Sequence, residues 1–328
     1  MQVVRYSEYG DPKDVVRLIE EDTGAPEAGE IVVDIEAAPI HIADLKNLAG
    51  APYFRFPLPA TPGYEGIGRV ARVGAGVAQY SVGGRVFLPL FCGAWRQQIK
   101  VNAADAMAAP DGDAVQLSLL TINPPTAQLI LDDFEDLKAG DWIIQNAANS
   151  SCGVYLIRLA RIRGIKTVNV VRRQSLAGEL KAAGADVVLV DGPGLSERVA
   201  EATGGPKIRL GIDAIAGAAT ARIADCLTDS GTVLAYGLLT GELCQISPAT
   251  LFLRGIDLRG FYTKRQMEKR TPAEQRKIYD GLAGLVADGA LSAKIAATYA
   301  LNDIAEAVDH AGRVAEARDG KIILLPNG

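Results

Sequence analysis

Hydrophobic and polar positions follow two different rhythms along this chain. In roughly the first hundred residues, apolar side chains alternate with polar ones over short runs. Ile31-Val32-Val33-Asp34-Ile35-Glu36-Ala37 and Gly68-Arg69-Val70-Ala71-Arg72-Val73-Gly74 are the clearest. A period of two, broken by glycine and proline, predicts half-buried strands joined by turns. Ile42 to Leu48 is the best helix candidate in this part. From about Thr121 the apolar runs become continuous and alternate with helical stretches. Asp141–Asn146, Thr167–Val171, Asp186–Val190, Arg209–Ala214, Gly231–Tyr236 and Ile256–Phe261 read as six buried strands. Gly153 to Gly164 reads as a helix, with Leu156, Ile157 and Ala160 on one face and Arg158 and Arg161 opposite. Leu176 to Ala183 supplies a further crossover. The tail adds helices near 273–288 and 301–311 and the strand Lys321-Ile322-Ile323-Leu324.

Six apolar strands with intervening helices predict an α/β fold, a doubly wound, parallel, six-stranded Rossmann sheet. This dinucleotide-binding domain is expected over 121–263. A β-rich catalytic domain is expected over 1–120 and 264–328, the tail returning to it. A chain of 328 residues suits two such domains.

Composition narrows the function classes. The net charge of −5 and a pI near 5.3 argue against a nucleic-acid partner, because phosphate neutralisation needs a basic surface. Cys92, Cys152, Cys226 and Cys244 are far apart and form no CxxC pair, which disfavours disulfides and a four-thiolate metal site. No apolar run is long enough to span a bilayer. Met1-Gln2-Val3-Val4-Arg5-Tyr6 reads as a strand and not as a secretion signal, so a cytoplasmic location is expected.

The turn Asn146-Ala147-Ala148-Asn149-Ser150-Ser151-Cys152-Gly153 leaves the first strand of the doubly wound domain and opens a helix. It keeps one glycine of the usual three, yet its place is where backbone N–H groups and the helix dipole hold a pyrophosphate. An ordinary capped helix start gives the same pattern. About twenty positions later an NAD enzyme places an acidic residue for the ribose hydroxyl. Here Arg172 and Arg173 stand instead. Two guanidiniums suit a 2′-phosphate, which favours NADPH; the bland alternative is a pair of solvated arginines.

Several blocks together resemble the mitochondrial-type trans-2-enoyl-thioester reductases, members of the zinc-free medium-chain dehydrogenase/reductase superfamily. They are Asn123-Pro124-Pro125-Thr126-Ala127, Leu131-Asp132-Asp133-Phe134, Lys138-Ala139-Gly140-Asp141, Gln145 to Ser150 and Thr167 to Arg172. Pro62-Gly63-Tyr64-Glu65-Gly66-Ile67-Gly68 matches the superfamily's glycine-rich signature. The resemblance implies a GroES-like fold for the β-rich domain and reduction of an activated C=C bond. It implies Tyr53 as the active tyrosine, with Tyr64 as rival, and Thr126 as a positioning residue. It implies cofactor contacts from Asn123, Asn149, Ser150, Ser151, Cys152, Arg172, Arg173, Tyr236, Gly237, Leu238, Leu239, Phe261, Tyr262, Thr263 and Lys321. Ser151 departs from a family glycine. Zinc-dependent relatives carry a cysteine–glycine pair near Ile40–Asp44 and a glycine–histidine–glutamate at Gly63–Glu65. This chain has neither, and only His41 and His310 as histidines, so no metal is expected.

The resemblance thus implies NADPH-dependent reduction of a 2-enoyl thioester of coenzyme A or acyl-carrier protein, in a homodimer paired near Gly231–Phe261. The basic run Lys264 to Arg270 suits a phosphopantetheine or an acidic carrier, or is simply a solvated face. A quinone or enone reductase on the same fold is the alternative, since fold does not fix substrate. A non-catalytic NADPH-binding protein is the reading from outside enzymology.

Overall fold

The computed structural model describes residues 1–52, 55–313 and 319–328, which form two units. Unit 1 holds Met1–Ile122 and Arg276–Gly328; unit 2 holds Asn123–Gln275. Tyr53 lies outside the described residues.

Unit 1 begins with seven strands: β1 (Gln2–Arg5), β2 (Arg17–Glu20), β3 (Glu30–Pro39), β4 (Ile67–Val73), β5 (Arg85–Phe87), β6 (Gln98–Asn102) and β7 (Met107–Ala108). β1 and β2 pair antiparallel. β3 is the hub, pairing antiparallel with both β4 and β6. Simple alternation predicts one wet face for it, but Ile31, Val32 and Val33 are all buried, so β3 is covered on both sides. Gly68 on β4 is dictated by that pairing: a Cβ there would lie 2.2 Å from the Asp34 carbonyl oxygen. Fully buried Trp95 anchors the same core, its indole N–H donating to Pro39 O at 3.3 Å.

Unit 2 carries the regular alternation. Its strands are β8 (Trp142–Gln145), β9 (Lys166–Val171), β10 (Val187–Val190), β11 (Ile208–Asp213), β12 (Thr232–Ala235) and β13 (Asp257–Gly260). They run parallel in the order β10-β9-β8-β11-β12-β13. Ile144, Val168, Leu210 and Val233 are buried at the sheet centre, as continuous apolar strands covered on both faces require. Strand order reverses between β8 and β11, which opens a crevice at their carboxyl ends where such sheets bind ligands.

The chain then returns to unit 1 through β14 (Ile295–Tyr299) and β15 (Lys321–Leu324), which pair parallel, β15 also lying antiparallel to β3. One expected boundary moves. Residues 264–275, expected in the β-rich part, lie in unit 2, among them most of the helix Thr263–Met267. Arg270 forms an ion pair with Asp133, and Gln275 Nε2 donates to the Met267 and Arg270 carbonyls at 3.0 and 3.1 Å. These bonds hold the basic run against unit 2, and Lys264 lies 3.9 Å from Glu268 within it. No helix among the described residues is long and apolar enough to cross a membrane.

Candidate functional site

In unit 2 the crevice is shaped by one buried carboxylate. Asp213, at the end of β11, has no solvent exposure. Its Oδ1 accepts from Asn146 Nδ2 at 2.6 Å, Ile215 N at 2.8 Å and Ala216 N at 3.1 Å, and its Oδ2 accepts from Thr220 Oγ1 at 2.5 Å. Asn146, at the end of β8, accepts in turn from Ala214 N at 2.8 Å. The two strands flanking the switch point are thereby tied at their carboxyl ends. Burying such a charge is tolerable only with this complete set of donors.

The turn after Asn146 passes through Ala147 at φ 47° and Asn149 to Ser150, the N-cap of the helix Ser151–Ile162. Ser150 Oγ accepts from Gly153 N at 3.1 Å. A Cβ on Gly153 would stand 2.6 Å from Ala148 O, so the one retained glycine lets the helix start seat against its own turn. Ser151, by contrast, sits in the first helical turn with ordinary backbone geometry, and a glycine is not needed there. The result is a helix N-terminus of the kind that receives anions, with Ser151 and Cys152 in its first turn.

Other sequence-chosen residues gather here. The Tyr236 hydroxyl, beyond β12, hydrogen-bonds Ser150 and Cys152, and burial pushes its pKa well above the ordinary phenol value. The Cys152 thiol lies 3.9 Å from Asn123 O. Gly237 passes the exit of β11 so closely that a Cβ would meet Ala214 O at 2.6 Å. Leu238 follows, and Leu239 N donates to Ala214 O at 3.1 Å. Thr126 Oγ1 and Thr263 Oγ1 are 2.5 Å apart. Phe261 is buried against Phe134, ring centroids 5.8 Å apart, while Tyr262 is exposed. Arg172 is exposed and Arg173 half-buried just past β9, which runs in register beside β8. The nearest acidic strand end, Asp191 after β10, is held bidentately by Arg222 at 2.6 Å from both nitrogens. That pairing leaves the two arginines after β9 as the cationic pair at this edge.

Unit 1 contains a second polar constellation, around His41 and Lys321. His41 is 7% exposed, its Nε2 at 2.5 Å from Glu65 Oε1 and its Nδ1 at 3.4 Å from Lys321 Nζ. Fully buried Glu65 also accepts from Thr121 Oγ1 at 2.7 Å. Asp44, also fully buried, accepts from His41 N at 2.8 Å and Gly63 N at 3.1 Å. Burial raises the Asp44 carboxyl to about 7. Burial, and then the Lys321 charge, lower the His41 pKa against the opposing pull of Glu65. Tyr64, in the same signature, is buried against Phe91 at 4.8 Å between centroids. Among the described residues no group of three or more His, Cys, Asp or Glu is arranged to hold a metal.

The His41 environment makes a signed prediction. In NMR titrations of ring-labelled histidine, His41 should lose its proton below pH 6.5, Lys321→Met should raise its pKa, and Glu65→Gln should lower it further. Because the folded pKa lies below the unfolded one, His41 contributes stability that is present above pH 6.5 and lost as pH falls. A His41 pKa above 6.5, or one that ignores Lys321, would contradict this electrostatic picture.

The family model for a zinc-binding dehydrogenase matches residues 152–276, and the model for an alcohol dehydrogenase GroES-like domain matches residues 27–114. The chain is 32% identical over 297 residues to a mitochondrial enoyl-[acyl-carrier-protein] reductase of Arabidopsis thaliana, covering 88% of this chain and 79% of that one. It is also 32% identical over 314 residues to the mitochondrial enoyl-[acyl-carrier-protein] reductase of Caenorhabditis elegans, covering 93% and 90%. Among solved structures, a protein of Bacillus thuringiensis described as an NADPH:quinone reductase superposes with a TM-score of 0.90 at 30% identity, covering 99% and 98%. The Rossmann sheet of unit 2, the GroES-like unit 1 and these relatives place the chain, an oxidoreductase, in the medium-chain dehydrogenase/reductase family alongside the enoyl-thioester reductases.

Proposed function

We propose that this enzyme uses NADPH to reduce the C=C bond of a 2-enoyl thioester of coenzyme A or acyl-carrier protein. The observation that carries the cofactor choice is Arg172 and Arg173 following β9, beside a capped helix N-terminus. Arginine forks match a 2′-phosphate, and an NAD site would place a carboxylate there. The enoyl substrate rests on the relatives, two of which are named for that reaction at 32% identity. The first helical turn at Ser151 and Cys152 would hold the pyrophosphate, and Asn149 and Ser150 its flanks. Asn123, Thr126 and Thr263 would face the nicotinamide side, with Tyr236, Gly237, Leu238, Leu239, Phe261 and Tyr262 completing the rim. Lys321 is assigned a cofactor contact by resemblance.

When bound, NADPH supplies the hydride that joins the β-carbon. The enzyme's own part is to stabilise the charge that then builds on the thioester oxygen and to see the α-carbon protonated. A phenol suits this task, being neutral at pH 7 and able to donate a hydrogen bond to an enolate oxygen. Tyr53 is assigned that role by resemblance. The quinone reading has its own support in the name of the Bacillus neighbour. Cys92, Cys152, Cys226 and Cys244 form no disulfide, which fits a reducing compartment such as the cytosol.

We also propose a homodimer paired through β13. This edge strand has all four residues exposed, including Leu258 at 40%, and Phe252 and Leu253 nearby are 70% and 74% exposed. Such an edge invites a second strand.

Purified enzyme should oxidise NADPH with crotonyl-coenzyme A. Arg172→Ala should raise KM for NADPH roughly 10- to 100-fold while leaving NADH unaffected, the scale of lost charge-assisted hydrogen bonds. Tyr53→Phe should cut enoyl turnover by about 100-fold or more, the usual range for a general acid–base group. Quinone turnover alone, indifferent to Tyr53, would instead favour the quinone reading. Sedimentation should give twice 34.6 kDa, and Leu258→Arg should shift it toward one chain; a wild-type mass of a single chain would remove the dimer.

A further inference from the structure

Unit 1 holds, lined entirely by its own residues, a partly open cavity of about 400 Å³. That volume lies in the range of small-molecule sites. Two features of its wall differ sharply in chemistry.

On one side Phe56, Tyr64 and Phe91 form an aromatic cluster. Ring centroids are 4.8 Å apart for Tyr64–Phe91, 5.8 Å for Phe56–Tyr64 and 6.5 Å for Phe56–Phe91. The first two pairs meet edge to face, leaving ring faces and edges that suit a flat, conjugated guest.

On the other side stand Arg5, from the end of β1, Arg96, and Glu21 just past β2. The main chain brings these together: Val3 bridges Arg96, and Glu21 N donates to Met1 O at 2.9 Å. Glu21 is spent on Arg5, with which it forms an ion pair. Arg96 reaches Glu21 only at 4.0 Å, beyond a hydrogen bond, and turns its Nε to Gly93 O at 2.9 Å. Arg5 Nε is buried with no acceptor. Cys92, also in the wall, adds no charge, since burial pushes its thiol to about 12. Burial also pulls Arg96 below the usual guanidinium value despite Glu21. Two guanidiniums facing one carboxylate leave one positive charge uncompensated in a partly buried space. A single carboxylate from a ligand would balance it, and Arg96 presents the planar fork that carboxylates fit.

We propose that this cavity binds a small carboxylic acid whose carboxylate is borne on a flat, aromatic or conjugated skeleton. The carboxylate pairs with Arg96, while Arg5 stays on Glu21, and the flat portion lies against Phe56, Tyr64 and Phe91. The site goes beyond the reductase reading and does not need it.

The test is calorimetric titration of the full chain with trans-cinnamate as probe, beside its neutral amide. Cinnamate should bind with one-to-one stoichiometry, and the amide at least tenfold more weakly. Arg96→Gln should weaken cinnamate at least tenfold. Glu21→Gln should act in the opposite direction and tighten it, because the competing carboxylate is gone. This reversal of sign separates the electrostatic site from damage to the fold. Equal binding of acid and amide, or a Glu21→Gln variant that binds cinnamate more weakly, would overturn the proposal. Inhibition kinetics then distinguish two sources of such a carboxylate. Competition with crotonyl-coenzyme A makes it part of the substrate's own site, and inhibition that leaves KM unchanged makes it a separate effector; both require the cavity to be occupied. Absence of thioester turnover would sink the enoyl reading while leaving the titrations to judge the cavity.

Discussion

The Asp213 carboxylate is the constraint on which unit 2 depends. It sits fully buried at the carboxyl end of β11 and accepts from four donors, one of them Asn146 from the end of β8. A buried carboxylate with fewer partners would cost several kcal/mol, so the network is formed whole or is destabilising. Formed whole, it fixes how far the ends of β8 and β11 stand apart. The turn 147–150 and the cap at Ser150 are built outward from that tie. Gly153 and Gly237 then permit backbone approaches that no side chain would allow. The phosphate-type helix start is therefore defined by Asn146, Asp213 and two glycines more than by a glycine-rich string.

Unit 1 solves a related problem with different residues. Asp44, Glu65, His41 and Lys321 place four titratable groups in a small, mostly dry volume. Burial raises the Asp44 carboxyl, while burial and then Lys321 lower His41 against the pull of Glu65. Both nitrogens of His41 face protein groups. The ring is thus committed to the network.

Much of the fold was legible because its signals are local. Continuous apolar runs bounded by glycine located β8 to β13 within one or two residues, and Ile42–Leu48 is the helix its sequence suggests. β3 departs from its alternating pattern because it pairs with three neighbours and is covered on both faces, which no local period encodes. The boundary after Gln275 was missed for the same kind of reason: the Arg270–Asp133 ion pair joins residues far apart in sequence. At the site, the turn and the arginines announced themselves by position. Asp213 carried a signal, an acid closing an otherwise apolar strand. Glu65 and Thr121 carried none, since their pairing exists only once β3, the signature loop and the segment before Asn123 have come together. The charged end of the cavity in unit 1 was equally silent, because Arg5, Glu21 and Arg96 meet only through strand pairing.

The most direct test of the central claim is to follow the hydride itself. NADPH deuterated at C4 would be incubated with the enzyme and crotonyl-coenzyme A in ordinary water, and the product examined by NMR and mass spectrometry. The account predicts saturated butyryl thioester with one deuterium on the β-carbon and a solvent-derived hydrogen on the α-carbon. Deuterium on the α-carbon, or cofactor oxidation with the thioester left unsaturated, would contradict it.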